Sequence, residues 1–497
     1  VALKQIILFG EQKKVLFLPP TEPIQIKGVA GSGKTTVALY RAKHLVETQS
    51  NLFQEARVAI FTFNTTLTAY IEAIKSKISG GYQKDSDQKL KRSEPGLNVL
   101  VINFHKWAFR FLKSKGVSAF INTTTFKSWQ HEVLQSSVKT LLATNPESKV
   151  LSKKIEFFVE EIKWIKGKLF ETEEQYLSAS RIGRGTTDRV TKKDRGLIWK
   201  VFKGYNEELS KNNKIDFDDY AILTIKEIEA DQTFSPPFTH IIIDEAQDLS
   251  KAQILALSKL VSEKTRSISI IADAAQRIYK SGFTWSEVGI EVRGNRTLSL
   301  KKNYRNTEAI SLAATSILRY DPDPSEFTTG EPARKGGKMP VVGYFANWMQ
   351  EGQYLIDEIK KLDYKNELTV VLHRDWSGMR KISYLLTSAN IENEIINEYS
   401  SIDFENGRIK ICTLSSVKGL EFDSVFITEV NDNVIPYPPG FNDDEEEDEV
   451  HVATERRLLY TAMTRAKDRL YLLNHGTPSR YIAEIDEDLI EKIDSSI

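Results

Sequence analysis

Residues 23–36, "PIQIKGVAGSGKTT", decide how this chain is read. A short apolar run, Pro23 to Gly28, leads into a loop with glycines at 28, 31 and 33. The stretch "TTVALYRAKHLV" (35–46) then continues with helical periodicity. Strand, glycine loop and helix form the context in which Gly28-x-x-x-x-Gly33-Lys34-Thr35 cradles phosphate. Gly28, Gly31 and Gly33, with Ser32 among them, let backbone N–H groups close around phosphate oxygens. Lys34 is expected to reach the β and γ phosphates, and the Thr35 hydroxyl to ligate Mg²⁺.

Such a cradle needs a carboxylate from a second strand, and "IIIDEAQD" (241–248) supplies one. Asp244 ends an apolar strand and is expected to hold Mg²⁺. Glu245 is expected to polarise the attacking water as general base. "ADAAQRIY" (272–279) follows the next strand. There Asp273 and Gln276 suit a γ-phosphate sensor, since an amide can contact phosphate and water together.

With 497 residues, 40% hydrophobic and 27% charged, the chain has room for several domains with cores of their own. Lys+Arg and Asp+Glu number 68 each, so any polyanion site must be a local patch. The single cysteine, Cys412, excludes an internal disulfide and is compatible with a reducing compartment. No apolar run approaches the roughly 20 residues that span a bilayer, and "IILF" (6–9) lacks the pattern of a signal peptide. A soluble, cytoplasmic protein is expected.

The fold class expected is α/β. Residues 1–78 and 231–295 carry one strand–helix pattern, with "ARVAIFTF" (56–63) as a buried strand. Residues 79–230 read as a mainly helical insertion. Within it, the basic segment "RIGRGTTDRVTKKDR" (181–195) suits phosphate tracking and equally a solvated loop. Residues 296–497 carry a second α/β pattern, with strands at "LTVVLHR", "IKICTL", "DSVFITEV" and "RLYLL". The run "DDEEEDE" (443–449) reads as a solvated mobile loop.

Nine blocks now stand in order: "EQKKVL", "GSGKTT", "FTFNTTL", "NFHKWAFRFL", "IIIDEAQD", "ADAAQRIY", "NYRNTEAI", "TLSSVKGLEFDSVFI" and "RRLLYTAMTRAKDRL". In this order they resemble the UvrD/Rep family of superfamily 1 helicases, from residue 12 to about 473. The resemblance implies two RecA-like P-loop NTPase domains with ATP in the cleft between them. It implies that Gln12 reads the adenine edge, Tyr304 stacks on adenine, and Glu421, beside Gly419, binds the ribose. Arg305 and Arg465 would reach the γ-phosphate from the second domain, where a planar guanidinium spreads charge over transition-state oxygens. Gln247 would relay nucleotide state. Nucleic-acid contacts would come from Phe61, Phe63, Asn64, Phe104, His105, Thr413 and the segment after "QRIY". Trp285 and Phe283 could offer stacking platforms, although core aromatics would give the same pattern.

The chain departs from the family pattern in several places. Thr36 stands where many relatives carry an arginine near the adenine, and Ser415 replaces a usual histidine. Ala272-Asp273 replaces Gly-Asp, and "KSGFTW" (280–285) replaces "WRGA". Arg305 and Thr413 are only 108 positions apart, so the large second-domain insertion of full-type members looks missing. The 139 positions from His105 to Asp244 leave the first insertion intact. The expected activity is an ATP-dependent DNA helicase or translocase moving 3′→5′ on single-stranded DNA or a tailed duplex. Two alternatives remain open. One is an ATP-gated DNA-binding subunit serving a nuclease or other effector, for instance in antiphage defence. The other is an RNA helicase.

Overall fold

The computed structural model describes residues 6–50, 55–63, 65–78, 82–84, 90–92, 98–118, 123–179, 190–273, 283–292, 294–322, 330–396, 402–437 and 445–495. The first domain runs β1 (Ile24–Gly28), α1 (Lys34–Gln49), β2 (Val58–Thr62) and α2 (Thr65–Ile78). A hairpin of β3 (Tyr82–Lys84) and β4 (Leu90–Arg92) follows, then β5 (Val99–Asn103) and α3 (Phe104–Ser114). Five helices come next: α4 (Thr123–Thr144), α5 (Ile155–Lys168), α6 (Glu173–Ser178), α7 (Lys192–Lys211) and α8 (Asp219–Ala230). The chain then returns with β6 (His240–Ile243), α9 (Lys251–Ser258), β7 (Ser267–Asp273) and β8 (Thr297–Leu300). One all-parallel sheet collects these strands in the order β5-β2-β6-β7-β1-β8. Every residue of β2 and β6 is buried, as expected of parallel strands covered on both faces.

This partition corrects the sequence reading twice. β5 lies inside the span read as helical insertion, yet it pairs with β2 at the sheet edge. β8 lies inside the span read as second domain, yet it pairs with β1, Gln25 opposite Thr297. "TLSL" alternates exposed and buried residues, as an edge strand does, and so lacks the continuous apolar run of a central one.

α4 to α7 enclose a core of their own, including Phe126, Leu134, Phe158, Tyr176 and Trp199. The basic segment falls partly outside the described residues. Within its described part, Thr191 caps α7, and Arg195 donates to the carbonyls of Tyr176, Leu177 and Ala179.

β9 (Lys302–Thr307) leads into α10 (Glu308–Ser316) and pairs with β10 (Glu331–Arg334). The second domain continues with β11 (Val341–Phe345), α11 (Trp348–Lys361), β12 (Thr369–His373), α12 (Trp376–Ser388), β13 (Asn393–Ile395) and β14 (Ile409–Thr413). It ends with β15 (Phe422–Ile427), α13 (Glu445–Met463), β16 (Ala466–His475) and β17 (Glu491–Ser495). Its sheet is also all parallel, in the order β13-β14-β12-β15-β16-β11-β17. The acidic run is not a loop throughout: from Glu445 its backbone is helical. Carboxylates at a helix N-terminus complement the macrodipole. Two parallel sheets flanked by helices give the expected two RecA-like domains.

The domains meet along α2. Tyr70 packs edge-on to Phe404 at 5.4 Å, and Leu67 faces Gly419. Ile60 lies at the centre of β2 with no exposed surface. Ile60→Ala is expected to cost about 2–5 kcal/mol in denaturant unfolding of the first domain. A loss well under about 1 kcal/mol would mean that the sheet centre is not close-packed.

Candidate nucleotide site

β1 ends at Gly28, and the loop turns at Gly31 and Gly33, whose φ angles are 74° and 77°. A side chain at 31 would lie 2.0 Å from the Asn303 amide oxygen, so glycine here lets the second domain's leading strand touch the loop. Gly31 in turn accepts from the N–H groups of Tyr304 (2.9 Å) and Arg305 (3.2 Å). Lys34 Nζ folds back onto the carbonyls of Gly28 and Val29, each at 3.3 Å. The Ser32 hydroxyl is buried and has no hydrogen-bond partner among the described residues. An orphaned donor in a glycine loop at the N-terminus of α1 fits a phosphate.

Thr35 Oγ1 donates to Asp244 Oδ2 at 2.8 Å, which brings the two expected metal ligands together. Asp244 is fully buried at the end of β6. Burial, then the neighbouring Glu245, push its carboxyl up to about 7. A hydroxyl and a buried carboxylate short of positive charge form a donor set that fits Mg²⁺. Glu245 sits at φ 52°. Burial pushes its carboxyl up, but Lys418, Lys34 and Arg465 outweigh burial and hold it below its ordinary value. Gln247 donates to its Oε2. Adjacent acids thus diverge, one drawn toward its proton and one kept ionised.

The second domain supplies the facing wall. Arg305 donates to Glu421 Oε1 at 2.7 Å and to the Thr464 carbonyl at 3.3 Å. Burial raises the Glu421 carboxyl, but Arg305 and Lys467 together bring it down to about 2. Arg465 is buried and donates to the Thr461 carbonyl and the Thr464 hydroxyl. Burial, then Arg305, lower its guanidinium to about 10. Gln12, Thr36, Tyr304, Arg305 and Glu421 border one cleft of about 640 Å³. The Gln12 amide accepts from the Phe9 N–H and donates to the Ser32 carbonyl.

Several expected residues are placed differently. Gly419, expected beside the ribose, has φ 83° and lies where a Cβ would come within 2.8 Å of Leu67. It lets the two domains approach and does not border the cleft. Phe61 is central in β2, its ring between Trp107 and Phe238, so it cannot face a strand of nucleic acid. Phe104 opens α3 and is turned inward with no exposed surface, next to the Asn103 side chain that caps the helix. Phe283 and Trp285 pack on each other at 5.6 Å inside the first domain. Thr413 is 6% exposed, and its hydroxyl is engaged with Ser415 and Ser416. Phe63 is 40% exposed, and His105 lies beside the exposed Phe217 at 5.5 Å. Burial lowers the His105 imidazole to about 4, so it is neutral at pH 7. Asn64, Gln276 and the side chain of Asp273 lie outside the described residues.

The sequence reading did not single out Lys418, which crosses the cleft to Asp248 at 2.6 Å. It also passed over Asn303 and Asn306. Asn303 accepts from the Arg305 and Asn306 N–H groups, and Asn306 donates to the carbonyls of Thr464 and Ala466. Lys418 was legible as the lone cation of "SSVKGLEFD".

A phosphate loop in one domain, faced by arginines of a second, makes a two-domain P-loop nucleotide site. The UvrD/REP helicase N-terminal domain family matches residues 8–288, and the UvrD-like helicase C-terminal domain family matches 298–404 and 397–477. The chain belongs to the UvrD/Rep helicase family. It is 25% identical over 360 residues to the ATP-dependent DNA helicase PcrA of Staphylococcus epidermidis, covering 68% of this chain and 44% of that one. The PcrA of Bacillus subtilis is 24% identical over 429 residues, covering 82% and 53%. A Mycoplasma pneumoniae protein named "Probable DNA helicase" is 23% identical over 500 residues, covering 93% and 84%. The chain spans about half the length of both PcrA relatives. Among the described residues, no helix is long and apolar enough to cross a membrane.

An acid whose folded pKa is raised favours the folded state below its unfolded pKa, and that contribution is lost as pH rises through the folded value. Without divalent metal, Asp244→Asn should therefore gain stability relative to wild type as pH climbs from about 4 to about 7. Magnesium should shrink the gap by stabilising wild type. Melting midpoints at stepped pH measure this; a difference flat with pH would contradict it.

Proposed function

We propose that the chain is an ATP-dependent DNA helicase motor that moves on single-stranded DNA in the 3′→5′ direction. The observation that carries this reading is the ionised Glu245 beside Thr35 and Asp244, with Arg305 and Arg465 facing it from the second domain. Glu245 would take the proton of the attacking water. Lys34 and the loop N–H groups would hold the β and γ phosphates. The two arginines would meet charge developing on the γ-phosphoryl oxygens. Thr35 and Asp244 would hold Mg²⁺, which when bound would supply neutralisation of phosphate charge. Because base and arginines belong to different domains, hydrolysis requires closure, and opening and closing would advance the strand. The DNA substrate is supported by the relatives' names. Polarity rests on family resemblance.

The test is steady-state ATPase with and without single-stranded DNA and RNA. Stimulation by DNA and not RNA supports the reading; stimulation by RNA alone turns it to an RNA motor. Strand displacement from 3′- and 5′-tailed duplexes then tests direction.

Lys34→Ala should abolish turnover. Glu245→Gln should lower kcat by about 10²–10⁴ while ATP still binds. Arg465→Ala should lower kcat by about 10³ or more with ATP binding retained. Normal hydrolysis by Arg465→Ala would refute closure of the second domain on the γ-phosphate.

A further inference from the structure

Resting on that reading, we infer that Phe9 forms the second face of an aromatic clamp for the nucleobase, opposite Tyr304. The two rings are nearly parallel, 21° apart, with centroids 6.5 Å from each other. A planar base between two rings needs about 3.5 Å on each side, or roughly 7 Å in all. The observed separation is close to that spacing, at the upper end of the range for offset ring pairs.

Three features keep the ring there. Gly10 has φ 46°, and a Cβ at that position would lie 2.6 Å from the Tyr304 hydroxyl. Only glycine lets the segment that carries Phe9 pass so near Tyr304. The Phe9 N–H donates to Gln12 Oε1 at 2.9 Å, which fixes the ring next to the amide expected to read the base edge. Glu11 accepts from the N–H groups of Lys301 and Lys302 at 2.6 and 2.8 Å, tying the segment to the strand that leads to Tyr304.

The residues nearby leave this role open. Thr36 borders the cleft and offers no planar group. Tyr70 also borders it, but its ring is 3% exposed and packs on Phe404. Phe9 is 52% exposed at the mouth of the cleft, an apolar surface that a purine would cover. Such a clamp favours bases with a large π-face, so it selects purine over pyrimidine nucleotides.

The experiment uses the full chain and compares wild type, Phe9→Ala and Phe9→Trp. KM and kcat are measured for ATP and CTP, and inorganic tripolyphosphate serves as a competitive inhibitor without a base. Phe9→Ala should raise KM for ATP roughly ten-fold, the order of one aromatic stack. It should also narrow the preference for ATP over CTP. Phe9→Trp should restore both, and the tripolyphosphate inhibition constant should be the same in all three. An unaltered KM for ATP in Phe9→Ala overturns the clamp, and so does an equal loss of tripolyphosphate affinity, which would mark a structural role. Absence of ATP binding by wild type would overturn the nucleotide reading itself, a result distinct from either.

Discussion

Lys418 reaches from the second domain to Asp248 of the first at 2.6 Å, and the chemistry of the cleft depends on such crossings. A buried charge is costly unless another group pairs with it. Glu245 is held ionised by three cations, of which Lys418 and Arg465 belong to the opposite domain. Withdrawal of that wall would remove two of those three cations and leave Lys34 and the Gln247 amide. With the wall in place, the Glu245 carboxyl lies below its ordinary value although it is buried.

Backbone proximity makes these crossings possible. Gly31 of the phosphate loop touches Asn303, and Gly419 touches Leu67, each at a left-handed turn. Asn303 and Asn306 continue the connection to the carbonyls of Thr464 and Ala466, on either side of Arg465. The expected phosphate loop and the arginine expected to reach the γ-phosphate are joined by a short chain of amides. A shift of either domain is felt at both ends.

The phosphate loop and the acid pair were legible because their chemistry dictates residue type, spacing and flanking strand together, whereas the two arginines came from the family resemblance. The aromatic contacts were not. "FTFN" places one ring in the core and the next at the surface, and nothing local says which. Phe61 falls inside a strand buried on both faces, while Phe63, just past its end, is exposed. The domain boundaries failed for a related reason. Reading along the chain assigns β5 and β8 to their sequence neighbours, whereas sheet membership is set by distant partners, β2 and β1.

Arg305 is held in place by its own neighbours. Its two terminal nitrogens are held by Glu421 and the Thr464 carbonyl, while Nε has no partner among the described residues. Glu421, brought down to about 2 largely by Arg305 and Lys467, stays charged throughout the physiological range. It therefore fixes the guanidinium without being neutralised by a proton. A rigidly held arginine loses little entropy on meeting a phosphate, and preorganisation of this kind is what makes such groups effective in a transition state. The expected ribose ligand thus acts first on its own neighbour, by holding the arginine in position before any nucleotide arrives.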